Sequence, residues 1–213
     1  SADFDRFDEN LKNITVRKEI ADSTTDSKFT INNITEKFAK EGKIVIEHAA
    51  SATDLPTPPK TSETTVVANL KDNTGKDDTL NFEVVNAKNY DDTFEYTIKA
   101  AGVENLNIAD NDTESNTLFL DKDTIKDHTG TITLTGGVAG QYFAVTGNTP
   151  SSDADAAKKN AVLAKTIDAS KQKSDLRLTV IDQKDKEGNN IGQDIKLGSG
   201  NDVLTFVELD GFD

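Results

Sequence analysis

Apolar residues recur at alternate positions in many short runs along this chain, and polar residues fill the gaps. That period of two is the mark of half-buried β-strands. Strands are predicted over Lys43–Glu47, Thr64–Leu70, Asn81–Val85, Thr93–Ala100, Gly102–Ile108, Leu118–Leu120, Thr131–Thr135 and Gln141–Val145. Four more follow: Thr166–Ser170, Leu176–Ile181, Asp194–Leu197 and Val203–Val207. Helical spacing is rare. Phe4, Phe7 and Leu11 carry it briefly, before a strand that includes Ile14 and Val16. Thr30–Ile34 reads as a short strand or a helix entry. Thr35–Glu41 reads as a helix stopped by Gly42, and Asp121–Asp127 as a single helical turn. The most helical stretch lies around 152–164, where a Ser/Asp cap precedes an alanine-rich body. Pro56, Pro58 and Pro59 make 51–63 a loop, because proline lacks a ladder donor.

Glycine and Asp/Asn mark the turns. The expected fold is therefore mainly β, many short strands joined by polar turns, with short helices. Residues 1–150 form a β-rich module and 151–213 a helix followed by a β unit. The two are expected to make one continuous structure belonging to a longer protein.

Composition sharpens this picture. Only 34% of the 213 residues are hydrophobic and 6% aromatic, which suits many short strands with polar turns better than a helical core. The 24 basic and 38 acidic residues leave a net charge of −14. Such a chain repels nucleic acid and anionic membranes and attracts cations. It has no run suited to membrane insertion. Cysteine is absent, so neither a disulfide nor a thiolate metal site can form.

The carboxylates gather in Asp/Asn/Gly turns, and one turn stands out. Gly198-Ser-Gly-Asn-Asp-Val-Leu204 matches most of the calcium-binding nonapeptide Gly-Gly-x-Gly-x-Asp-x-apolar-x, with Leu197 where the first glycine belongs. Gly198 and Gly200 are expected to take positive φ and turn carbonyls toward one centre. Asp202 would add a hard anionic oxygen ligand. The plainer reading is a Gly-Asn-Asp loop between two strands. Gly75 followed by Asp77 and Asp78 is a degenerate copy of the same turn. Asp110-Asn-Asp-Thr-Glu114 opens like an EF-hand loop, but Ser115 replaces the turn glycine and no flanking helices are predicted. Asp110 and Asp112 are thus either calcium ligands or part of a solvated turn.

Four phrases occur in order: Val103-Glu-Asn-Leu-Asn-Ile108, Thr166-Ile-Asp-Ala-Ser170, Leu176-Arg-Leu-Thr-Val180 and Ile195-Lys-Leu-Gly-Ser-Gly-Asn-Asp-Val-Leu204. Together they resemble the repeating units of bacterial surface-layer proteins of the repeats-in-toxin type, over residues 100–206. The resemblance implies a secreted structural protein at the cell surface. It implies an elongated, irregular β-solenoid or β-sandwich-like fold of short strands, with calcium joining turns or neighbouring copies. Its partners would be other copies of itself and cell-surface polysaccharide. It gives Gly198, Gly200, Asn201 and Asp202 a calcium role, and extends that role to Asp77, Asp78 and Asp168.

An enzyme is not expected. The two histidines, His48 and His128, have no second ligand at metal spacing, and phosphate-cradling loops and nucleophile elbows are missing. A calcium-dependent glycan-binding or adhesin module is the alternative. Its usual sign, exposed aromatic rings, is poorly supplied by three Tyr and no Trp.

Overall fold

The alternating runs pair as parallel strands in a computed structural model. It describes residues 1–4, 7, 10–20, 26–50, 64–86, 94–121, 124–125, 130–147, 161–181, 183–184 and 189–207. The 51–63 loop, His128 and nearly all of the helix expected around 152–164 lie outside these. Of that helix, Ala161–Ala164 are described and are not helical; Val162 instead bridges Val180 in parallel.

Successive strands alternate between two sheets. One contains β2 (Asn13–Ile20), β4 (Lys43–Ala50), β6 (Thr79–Asn86), β8 (Asn105–Asp110), β10 (Thr131–Gly136), β12 (Thr166–Gln172) and β16 (Asp194–Lys196). The other contains β1 (Ala2–Asp3), β3 (Ser27–Ile34), β5 (Thr64–Leu70), β7 (Phe94–Lys99), β9 (Asn116–Leu120), β11 (Tyr142–Gly147), β13 (Asp175–Ile181) and β17 (Val203–Val207). From β1 to β13, strands two apart in chain order pair with each other, and β12 and β13 then pair with β16 and β17, so the chain winds as a two-sheet parallel solenoid. A separate two-stranded antiparallel pair joins β14 (Gln183–Lys184) and β15 (Asn190–Ile191). Ladders β10–β12 and β11–β13 run directly across residue 150.

Stacking places like side chains above one another. Leu80, Leu106, Ile132, Ile167 and Ile195 form one inward rung, and Phe82, Ile108 and Leu134 another. Across the core run Tyr96, Leu118, Val145, Leu178 and Leu204. Most of these side chains are fully buried. Burial of each aliphatic member contributes roughly 1.5–3 kcal/mol, so the stack of rungs is the main source of stability. Outside, amides stack too: Asn107 Nδ2 donates to Asn81 Oδ1 at 2.8 Å, and Asn81 Nδ2 donates to the carbonyls of Ala39 and Gly42 at 2.9 Å each.

The single α-helix among the described residues is α1 (Glu36–Glu41), as the Thr35–Gly42 signals predict. Thr35 Oγ1 accepts from Phe38 N–H, and Gly42 ends the helix. Gly42 allows a close turn, since a Cβ there would lie 2.6 Å from the Phe38 ring. Phe38 packs on Phe4 with ring centroids 4.6 Å apart, covering the first coils. The last coil has no such cover among the described residues. Val203 and Phe206 on β17 are 55% and 62% exposed.

Candidate cation site

The short corner between β8 and β9 brings the chain's oxygen ligands indoors. In β8, Asp110 shares the parity of Leu106 and Ile108, so it faces inward. In β9, Asn116 shares the parity of Leu118 and Leu120 and does the same. Register then adds a third residue. Asp110 pairs with Gly136, and Gly136 pairs with Gln172, so the three occupy one rung. Gly136 contributes no side chain, and Gln172 reaches past it.

Gln172 points inward because of a bulge. Between Asp168 and Lys171, β12 inserts an extra residue relative to β10. Asp168 Oδ1 holds the bulge by accepting from Ser170 N–H at 3.0 Å and Ser170 Oγ at 2.6 Å. Those bonds lower the Asp168 pKa below the usual carboxylate value. Asp168 therefore shapes the strand, and its carboxylate is already engaged locally.

Asp110, Asp112, Asn116, Gln172 and Ser174 are all at most 2% exposed. The expectation of a solvated turn at Asp110 and Asp112 is thus overturned: the inward parity of β8 carries the carboxylate into the core. Asp112 N–H and Asn116 Nδ2 both donate to Asp110 Oδ1 at 3.3 Å. Gln172 Nε2 lies 3.4 Å from Asp110 Oδ2 and 2.5 Å from Ser174 Oγ. Asp112 Oδ1 accepts from Glu114 N–H at 3.0 Å. Burial pushes the Asp110 carboxyl up to about 7, and the neighbouring Asp112 charge adds to the rise. Asp112 is raised as well, chiefly by burial. Burial, and after it the same two carboxylates, hold the Tyr96 phenol well above its ordinary value.

Three oxygens in this cluster are buried without a hydrogen-bond partner: Asp112 Oδ2, Asn116 Oδ1 and Gln172 Oε1. Two carboxylates and two amides thus meet in a dry place with acceptor capacity left over. That is the donor chemistry of a hard cation. Among the described residues, no three His, Cys, Asp or Glu side chains come together. What marks this corner is the addition of amides to a carboxylate pair.

The other predicted positions are more exposed. Gly198 and Gly200 do not have positive φ, contrary to expectation. Glycine is needed there for close stacking: a Cβ would lie 2.3 Å from the Gln172 carbonyl oxygen or 2.4 Å from that of Ser174. Asp202 Oδ1 accepts from Leu176 N–H at 2.9 Å, while Asn201 N–H donates to Asp175 Oδ1 at 2.9 Å. This turn is laced to the coil before it by one carboxylate of its own, Asp202, and one of that coil, Asp175. Asp77 Oδ1 accepts from Asn105 Nδ2 at 2.8 Å, and the Asp78 carbonyl accepts from Glu104 and Asn105 N–H. These positions do not converge with Asp110 and Asp112.

Asn116 and Gln172 were not singled out by motif. Parity within a strand is the signal for Asn116, which precedes Leu118 and Leu120 at even spacing, whereas the bulge in β12 hides Gln172 from that signal. No family model, curated protein or solved structure matches the chain.

Proposed function

We propose that this chain is a structural segment of a secreted cell-surface protein, part of a calcium-dependent surface layer built from copies of itself. The observation that supports this is the parallel stack of coils, whose sheets stay open at β16 and β17 among the described strands. Strands β16 and β17 leave one edge of each sheet without a partner among the described strands. The outer strand presents Val203 and Phe206 to solvent. A solenoid grows by adding coils, so an open sheet edge of this kind can be continued by a further coil or by a copy of the protein. At −14 the chain repels its copies, and calcium between turn carboxylates would relieve that repulsion.

Size-exclusion chromatography with light scattering and electron microscopy tests the reading. Calcium should produce ordered assemblies that chelator disperses, and Phe206→Lys should weaken them. A monomer under both conditions would contradict it.

A glycan-binding module is the second reading. It is favoured by a shallow outer cleft lined by Lys43, Asn81, Glu83, Asn107, Asn111 and Thr133. These groups can bond to hydroxyls, but the Phe82 ring beside them is buried and offers no stacking face. Binding to a polysaccharide array, lost in Asn111→Ala, would favour this second reading.

A further inference from the structure

We propose that the β8–β9 corner is an interior calcium site in which Asp110, Asp112, Asn116 and Gln172 bind one dehydrated ion between the two sheets. The inference goes beyond the surface-layer reading and does not rest on it, since an interior ion would brace a monomer equally well.

Three observations carry it. First, Gln172 joins Asp110, Asp112 and Asn116 of a single seven-residue corner from 62 residues away along the chain, and all four side chains are buried. Second, three of their oxygens have no hydrogen-bond partner. Buried polar atoms are nearly always satisfied, so each of these acceptors is open to a positive ligand; the amides of Asn116 and Gln172 now turn their nitrogens to Asp110 and rotate to bring their oxygens to the ion. Third, the surroundings leave space for long side chains by withholding short ones. A Cβ at Gly137 would lie 2.5 Å from both Gln172 Nε2 and Ser174 Oγ. Gly136 likewise opens the rung between Asp110 and Gln172.

The donor set selects the ion. Every available ligand is an oxygen, which favours magnesium, calcium or manganese over zinc or copper. Magnesium retains water and demands near-ideal octahedral geometry, whereas calcium accepts six to eight oxygens in irregular arrangements. A dry site built from two carboxylates and two carboxamides suits calcium. The carboxylates balance its charge. A half-turn of the Asn116 and Gln172 amides exchanges nitrogen for oxygen toward Asp110. Ser174 Oγ stands next to Gln172 and can follow that rotation.

Terbium luminescence tests the site on the whole chain. The protein lacks Trp, so emission excited near the phenol absorption must pass through a tyrosine. Tyr96 is buried and electrostatically coupled to both Asp110 and Asp112. Terbium should give saturable, tyrosine-sensitised emission that calcium displaces. Tyr96→Phe should remove most of that emission while leaving calcium's upward shift in melting temperature intact. Asp112→Asn should weaken terbium binding by at least about tenfold, because calcium-type sites are tuned by ligand charge. Asp202→Asn, at the exposed turn, should leave both signals unchanged. Gln172→Glu supplies a third carboxylate and serves if Asp112→Asn does not fold. It should lower the melting temperature in chelator and enlarge the calcium-induced shift. Emission that survives Tyr96→Phe and Asp112→Asn, no sensitised emission at all, or a calcium shift in Gln172→Glu no larger than in the parent protein would each overturn the assignment.

Discussion

Gln172 Nε2 lies 3.4 Å from Asp110 Oδ2, across an intervening strand whose residue at that level is Gly136. The two side chains meet only because the rung between them has no side chain. A Cβ on Gly136 would lie 2.2 Å from the Asp110 carbonyl oxygen, and its φ is +93°. Gly136→Ala therefore combines a backbone clash with a left-handed conformation. It should cost about 3 kcal/mol or more. Gly140 has φ +88° but nothing within 4 Å of its would-be Cβ, so Gly140→Ala should cost about 1 kcal/mol. Chemical denaturation of the two variants checks the contrast. Equal losses would mean that the close approach at Gly136 is unimportant.

The calcium-free protein should lose stability as pH rises through neutrality. Asp110 has an ordinary carboxyl value of 3.8 and a folded value of about 7, raised first by burial and also by the Asp112 charge. The folded state thus holds its proton more tightly than the unfolded one. The stabilising effect of that proton is full below about pH 4 and is lost by about pH 8, a change of up to about 4 kcal/mol. Asp112 acts in the same direction. Asn116, Gln172, Ser174 and Tyr96 face the pair and bring no cation to offset it. Overall self-repulsion at −14 has the same sign, so the diagnostic quantity is the difference from Asp110→Asn. In chelator, that variant should gain on the parent protein steadily from pH 4 to 8. Parallel pH profiles would contradict the burial argument.

The outer amide ladder makes a separate prediction. Asn81 Nδ2 is held by the carbonyls of Ala39 and Gly42, which close the turn after α1. Asn81→Ala should cost roughly 1–2 kcal/mol through the carbonyls it leaves without their donor. Asn81→Asp should cost more, because a carboxylate would then face those oxygens. Urea unfolding of both variants tests the order.

Position along the stack should govern the cost of a core truncation. Leu106 is fully buried between coils, whereas Leu204 on the last coil is only partly buried. Leu106→Ala should cost roughly 2–5 kcal/mol and Leu204→Ala clearly less. Hydrogen exchange should show matching protection, with β8 opening later than β17. Similar costs and similar protection would mean that the last coil is covered as well as the middle ones.

Much of the strand pattern was legible in the sequence. Thr64–Leu70 and Val203–Val207 fall where alternation places them, and Thr35 and Gly42 bracket the helix. The solenoid pairing was expected only through a resemblance, because alternation says which face a residue takes and nothing about its neighbour in the sheet. A further cue lay in spacing: Leu80, Leu106 and Ile132 are 26 residues apart (106 − 80 and 132 − 106) and share one rung. The interior corner was half legible. Asp110 and Asp112 were noticed as an acidic loop, but the predicted strand ended at Ile108, two residues short of the position that places Asp110 in the core. Gln172 was hidden by the bulge at Ala169–Ser170, which reverses parity after Asp168. At Gly198 and Gly200 the sequence shows the glycines but not their job: positive φ was expected, and they instead admit the backbone of the preceding coil.

The most direct test of a calcium-braced solenoid is thermal unfolding of the parent protein near pH 7.5, in saturating calcium and in excess chelator. An ion that binds only the folded chain, at a hundredfold excess over its dissociation constant, stabilises it by about 2.7 kcal/mol. For a chain of this size that should raise the melting temperature by roughly 5–10 °C, and the gain should disappear in Asp112→Asn. Superimposable melting curves with and without calcium would contradict the account.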